Sequence, residues 1–298
     1  MTSANIFDIK RFGINDGDGI RTVLFIKGCP LRCKWCQNPE GMVPGIRLWY
    51  GKGACVDCRG CEAVCAQNAL NFDTQGLKIN YDDCILCGKC IEACPTGALR
   101  FDAKKMTVTE AMREIEKDRV FYDGGGVTLS GGECTASPEF SLELLRACKT
   151  ARVNTAIDTC LHVSPEILDT FAKAADMIIA DIKLIDPDRH RKCTGVDNSL
   201  ILDNIKRLAE KKSNVRLRVP LIPGYTADRE NLEGIAAFIA SLDADFPVQL
   251  LNFNPLCREK YCSLRQEYVF DLDQRMLSPE EMQERESIIV RHGLGTKI

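Results

Sequence analysis

Along most of the chain, short apolar runs rich in β-branched residues alternate with longer runs that are apolar on one helical face. Residues 21–27, 127–130, 153–158, 177–183, 215–221 and 248–253 read as strands, and 140–151, 165–175, 200–212 and 231–242 as helices. Ser164 followed by Pro165 is a helix start, a capping hydroxyl with proline at the first helical position. Strands separated by helices imply βαβ units and a parallel sheet. Six such units are too few for a closed eight-stranded barrel. The pattern therefore predicts an α/β fold of the partial (β/α)6 barrel kind, with chemistry at the C-terminal strand ends.

Residues 51–101 break the pattern. They have short apolar runs, no long amphipathic helix and eight cysteines, so they read as a small insert held by metal rather than by an apolar core. Two domains follow: 1–50 with 102–298, and 51–101. Composition narrows the function classes. With 39 Lys+Arg against 42 Asp+Glu over 298 residues, the net charge is −3, which offers no footprint for nucleic acid or an anionic membrane. Charges interrupt every apolar stretch before membrane-spanning length, and the first residues lack a signal pattern, so a cytoplasmic protein is expected. In a reducing compartment, seventeen clustered cysteines point to metal ligands before disulfides.

Within the insert, Cys55-x2-Cys58-x2-Cys61-x3-Cys65 is followed by Cys84-x2-Cys87-x2-Cys90-x3-Cys94-Pro95. This is the spacing of two-cluster ferredoxins, in which the fourth cysteine of each run ligates the other cluster. One 4Fe–4S cluster is expected on Cys55, Cys58, Cys61 and Cys94, and a second on Cys65, Cys84, Cys87 and Cys90. Zinc or disulfides are the alternative readings. A third group, Cys29-x3-Cys33-x2-Cys36, follows the first strand directly. Three thiolates leave one iron of a four-iron cluster open, as catalytic metal sites do.

This last spacing resembles the radical S-adenosylmethionine (radical SAM) superfamily, and its flanks resemble glycyl-radical-enzyme activating enzymes of the subgroup with two ferredoxin-like auxiliary clusters. Phe12-Gly13-Ile14-Asn15-Asp16-Gly17-Asp18-Gly19-Ile20-Arg21-Thr22 is similar to the segment before the cysteine motif, with Asp18 where that family commonly has proline. Ser130-Gly131-Gly132-Glu133, Asp158-Thr159, Asp181-Ile182-Lys183, Arg218-Val219-Pro220-Leu221-Ile222-Pro223-Gly224 and Leu251-Asn252-Phe253-Asn254 resemble its later motifs. The resemblance implies three 4Fe–4S clusters, S-adenosylmethionine and a monovalent cation. It places Trp35 beside the adenine and Gly131, Gly132 and Glu133 at the cofactor's ammonium. Asp158, Asp181 and Lys183 go to its carboxylate and the cation, Arg218 faces the cofactor, Asn254 stands where many members have histidine, and Asp16 lies near the partner's glycine loop.

The implied activity is that of an oxidoreductase. S-Adenosylmethionine is cleaved reductively to a 5′-deoxyadenosyl radical, which removes a Cα hydrogen from a glycine of a partner glycyl radical enzyme. The radical is borne by the cofactor, so no side chain is expected as a catalyst. Flavodoxin or ferredoxin is the implied reductant and the chain is expected to be a monomer. Two other readings stay open: radical SAM chemistry on a small molecule or another peptide, and a polyferredoxin-like electron carrier. The remaining six cysteines, and His162, His190 and His292, fit no ligand spacing.

Overall fold

A computed structural model describes residues 2–264, 268 and 275–297. Its framework is one nine-stranded sheet. β1 (Ser3–Gly13) and β2 (Arg21–Ile26) precede the insert, and β7 (Lys104–Thr107) follows it. The insert itself carries β3 (Leu48–Tyr50), α1 (Gly60–Ala63), β4 (Leu70–Asp73), β5 (Gly76–Ile79), α2 (Lys89–Glu92) and β6 (Leu99–Phe101). After α3 (Val108–Glu116), strands and helices alternate: β8 (Gly126–Gly131), α4 (Pro138–Thr150), β9 (Asn154–Thr159), α5 (Pro165–Ala174) and β10 (Met177–Asp181). Two helices, α6 (Pro187–Thr194) and α7 (Ser199–Glu210), then lead to β11 (Val215–Leu221), α8 (Arg229–Ala240) and β12 (Val248–Asn252). Last come α9 (Arg258–Ser263), α10 (Pro279–Arg291) and β13 (Thr296–Lys297).

The six strands expected from the sequence, β2 and β8 to β12, are parallel neighbours in chain order. Three edge strands were not expected: antiparallel β1 and β7 beyond β2, and β13 beside β12. β1 alternates buried and half-exposed positions with charges between them, which hides it from an apolar-run reading. The sheet runs from β13 to β7 without closing. Ser164 caps α5 as its sequence suggests, its hydroxyl accepting from the Ile167 amide at 3.5 Å.

Strand parity divides the sheet. Val127, Leu129, Ile157, Ile178, Ala180, Leu217, Val219, Val248 and Leu250 pack under the helices in the main core. The alternate positions, Thr128, Ser130, Asp158, Asp181, Arg216, Arg218 and Gln249, face the opposite, concave side. At the N-terminal end of these strands the Arg21 guanidinium is buried. It donates to Thr128 Oγ1 at 2.7 Å, the Val127 carbonyl at 2.7 Å and Asn154 Oδ1 at 3.1 Å, and burial lowers it to about 10.

The insert has its own core of Leu48, Tyr50, Leu70, Leu77, Ile79 and Leu99, completed by Cys61 and Cys90. Because β3 pairs with β6, residues 48–50 belong to this unit, three residues before the boundary expected at 51. Its two halves repeat: every cysteine of the first run recurs 29 positions later (Cys55 to Cys84). The left-handed positions follow the same offset, Asp57 with Leu86 and Arg59 with Gly88. A buried ion pair joins insert and barrel. Lys27 Nζ lies 2.5 Å from Asp102 Oδ2, both side chains almost wholly shielded, and Asp102 Oδ1 accepts from the Arg47 amide at 2.8 Å.

Candidate active site

A cavity of about 280 Å³ opens at the C-terminal ends of the parallel strands, where the fold class predicts a site. The loop after β2 supplies Cys29, Cys33, Trp35 and Cys36 to one wall. The ends of β8, β9, β10, β11 and β12 supply the others, including Gly131, Gly132, Asp158, Asp181, Lys183 and Arg218. Asn254 lies at its rim. Eleven of the side chains or glycines assigned from sequence to this site are thus brought together from six segments.

The charged residues pair with one another. Arg218 bridges two carboxylates: Nε lies 3.1 Å from Asp181 Oδ1, and an Nη contacts Asp158. Lys183 Nζ is 2.8 Å from Asp181 Oδ2, and Ser130 Oγ donates to Asp158 at 2.9 Å. Burial raises the Asp181 carboxyl, but Lys183 and Arg218 outweigh it and hold the group at about 2. Two positive and two negative charges therefore neutralise each other on the cavity floor. A monovalent cation at Asp158 and Thr159 would compete with Arg218 for the same carboxylate.

Two of the assigned residues do not line this cavity. Glu133 does not reach the cavity: it is 2 % exposed and its carboxylate is filled by donors. These are Thr159 Oγ1 at 2.8 Å, the Cys160 amide at 2.8 Å, Thr135 Oγ1 at 2.9 Å and the Thr135 amide at 3.1 Å. It locks the end of β9 to the turn after β8. Asp16 lies at the other end of the strands, salt-bridged to Lys10 at 2.9 Å, with its carbonyl accepting from Thr128 Oγ1 at 2.6 Å. Asn254 uses its side-chain oxygen to accept from the Leu256 amide at 3.0 Å.

The double glycine has a steric reason as well. Gly131 has φ +131°, and a Cβ on Gly132 would lie 2.1 Å from the carbonyl oxygen of Gly41. Only glycine lets the β8 terminus press against the segment following the cysteine loop. Trp35 is buried against Tyr225, ring centroids 5.5 Å apart, with Leu184, Ile222 and Phe253 around it.

Sequence reasoning missed Cys160, which lines the cavity from the end of β9. Its thiol hydrogen-bonds Cys29, and that contact, against burial, lowers Cys29 below the ordinary thiol value. Burial pushes Cys33 up to about 12. No ligand spacing could have found Cys160, because only the adjacency of β9 to β8 brings it near.

In the insert, the eight cysteines gather in two sets. Cys55, Cys58, Cys61 and Cys94 surround one hollow, and Cys65, Cys84, Cys87 and Cys90 surround another. Each hollow takes three cysteines from one run and the last of the other. Backbone amides turn toward the sulfurs, Asp57 N to Cys55 at 3.4 Å and Ala69 N to Cys65 at 3.3 Å. Of the other cysteines, Cys134, Cys148 and Cys257 are buried and Cys262 is exposed. His190 is buried on the Val196 carbonyl at 2.7 Å, and His292 meets Glu233 at 2.9 Å. Among the described residues, no helix is long and apolar enough to cross a membrane.

A three-thiol loop at the mouth of an open parallel sheet defines a class, and comparison bears it out: the Radical SAM superfamily model matches residues 23–236. The chain belongs to the radical SAM superfamily and, within it, groups with activating enzymes of glycyl radical enzymes. It is 39% identical over 274 residues to the choline trimethylamine-lyase activating enzyme of Oleidesulfovibrio alaskensis, covering 89% of this chain and 88% of that one. It is 38% identical over 298 residues to the trans-4-hydroxy-L-proline dehydratase activating enzyme of Clostridioides difficile, covering 98% of each. The crystal structure of a domain of pyruvate-formate lyase-activating enzyme from Bacteroides vulgatus superposes with a TM-score of 0.50 at 31% identity, covering 59% of this chain and 99% of that one.

Proposed function

We propose that this chain is an activating enzyme that installs a glycyl radical on one partner enzyme, with an insert carrying two further 4Fe–4S clusters. The observation that carries the reading is the convergence of Cys29, Cys33 and Cys36 with the Asp158–Arg218–Asp181–Lys183 network on one cavity. The donor set fits the family's cofactors: thiols for iron, glycine backbone packed next to the thiol loop, and an indole, all on one cavity. When bound, the 4Fe–4S cluster and S-adenosylmethionine supply an adenosyl-type carbon radical.

The chain's own residues bind, orient and exclude water. Cys29, Cys33 and Cys36 hold the cluster, and Trp35 with Tyr225 gives a rigid apolar wall for a nucleobase. Lys183 and Arg218 offer cations to the cofactor's carboxylate, already oriented by Asp181 and Asp158. The Gly131 and Gly132 backbone takes the ammonium end, a role that Glu133 supports from behind by fixing the strand ends. Asn254 offers an amide donor at the rim, and Asp16 steadies the loop 14–20 that faces the incoming glycine segment. The unclosed sheet leaves a side through which that segment enters.

For the insert, the support is the crossed gathering of eight thiols around two hollows. These cysteines would hold two clusters, which would supply one-electron redox chemistry to a chain reduced by flavodoxin or ferredoxin. The chain works as a monomer in a reducing cytoplasm, where its thiols stay available for iron. Anaerobic mixing with reductant, S-adenosylmethionine and candidate glycyl radical enzymes tests the reading. A glycine-centred doublet in the electron paramagnetic resonance spectrum of one partner is expected. Formation of 5′-deoxyadenosine with no doublet on any partner would point to another substrate.

A further inference from the structure

Two polar groups on the concave face of the sheet lack partners. Arg216 is 6 % exposed, and one Nη pairs with Asp18 at 2.6 Å, yet its Nε is buried and makes no hydrogen bond among the described residues. Gln249 Oε1, on the adjacent strand, is likewise buried and unpaired among them. Parity puts both on the concave face. Arg216 shares its face with Arg218, and Gln249 shares its face with Leu251; Arg218 and Leu251 line the cavity. The register pairs Arg218 with Gln249, so Gln249 sits beside the cavity's arginine and Arg216 one step below it. Buried polar groups are almost always satisfied, so an unpaired donor and an unpaired acceptor at diagonal positions of adjacent strands call for a ligand.

We propose that Arg216 and Gln249 read the main chain of the partner's glycine-bearing segment. Arg216 Nε–H donates to a peptide carbonyl, and Gln249 Oε1 accepts from a peptide N–H. An arginine donor and a carboxamide acceptor match the two groups every peptide unit presents. Glycine, having no side chain, lets that backbone come within reach. The Asp18 contact fixes the guanidinium so that its Nε edge stays turned to the concave face. The pair rests on the activase reading. It adds to it a second layer of residues below the cofactor, which positions the partner and touches no reacting atom.

The test titrates choline trimethylamine-lyase and trans-4-hydroxy-L-proline dehydratase into the iron-loaded protein and reads the glycyl doublet. Arg216→Lys keeps the charge for Asp18 but removes the Nε–H, and Gln249→Met removes the acceptor. Each is expected to raise the half-saturating partner concentration about tenfold with the plateau rate retained, and Gln249→Glu, which keeps an acceptor oxygen, to restore it. Unchanged half-saturation in both variants overturns the pair while leaving the activase reading intact. No doublet with wild-type protein on any candidate glycyl radical enzyme, these two included, overturns the two together. A measurement free of variants is hydrogen exchange on the wild-type protein. Partner addition is expected to slow exchange across 215–221 and 248–252. Protection confined to the cysteine loop overturns the proposal.

Discussion

The barrel and the insert hold cysteines in opposite ways. In the barrel, Cys29, Cys33 and Cys36 sit on one loop above a sheet whose core of Leu, Ile, Val and Phe is complete without them. In the insert, Cys61 and Cys90 are part of the core itself, and the apolar residues around them are few. A large apolar core keeps its shape whatever its loops bind, whereas a unit of about fifty residues usually needs staples or metal. The barrel is a scaffold that presents a metal site. The insert is built around its thiols.

The sharpest way to break this contrast is to remove the barrel's thiols. Replacing Cys29, Cys33 and Cys36 with alanine should reduce formation of 5′-deoxyadenosine to background and, with the two insert clusters proposed above left in place, lower bound iron by about one third. Surviving cofactor cleavage would mean that these residues are not the site. Stripping iron with a chelator tests the other half. Residues 51–101 should become susceptible to protease while the barrel retains its cooperative melt, because metal-dependent units unfold without metal. An insert that stays resistant would show that its small core suffices.

A third test probes the charges the barrel alone carries at its site. Arg218→Met leaves Asp158 and Asp181 with Lys183 as their remaining cation, and breaking such a buried pair costs about 3–5 kcal/mol. Denaturant unfolding should show that loss, together with weakened S-adenosylmethionine binding. The smallest effect lies far from any cysteine. Glu281, in the capping box that starts α10, is held at about 2 by Arg275 and the Ser278 amide. An unfolded glutamate titrates near about 4.3. The stabilisation is therefore fully present above that value and fades as pH falls toward 2. Melting temperatures of wild type and Glu281→Gln should differ at pH 6 and converge near pH 2.

Much of this was legible because periodicity and spacing are local. The six parallel strands, the Ser164 cap and the crossed cysteine sets follow from residues within a few positions of each other, or from a known ligand rule. What escaped depends on neighbours distant in sequence. Glu133 belongs to a recognisable Gly-Gly-Glu run, but only the packing of β9 beside β8 decides that its carboxylate turns to Thr159 and Cys160. Asp158 and Arg218 were both picked out, yet their mutual pairing across two strands was not. β1 and β7 have too many charges to read as buried strands, since one face of each edge is open. Leu48–Tyr50 looked like the barrel's because its partner strand lies fifty residues on.

The Lys27–Asp102 pair sets a rule for cutting and rejoining this chain. Lys27 is the last residue before the cysteine loop begins at Gly28, and Asp102 is the first after β6, so the two ends of the excursion are fastened to each other. A shortened protein that joins residue 47 to residue 102 keeps the fastening and should give a soluble barrel. One joined beyond Asp102 strands an ammonium group in the interior directly beneath the catalytic loop. The excursion can be exchanged as a cassette, then, provided its last clasp is left behind with the host.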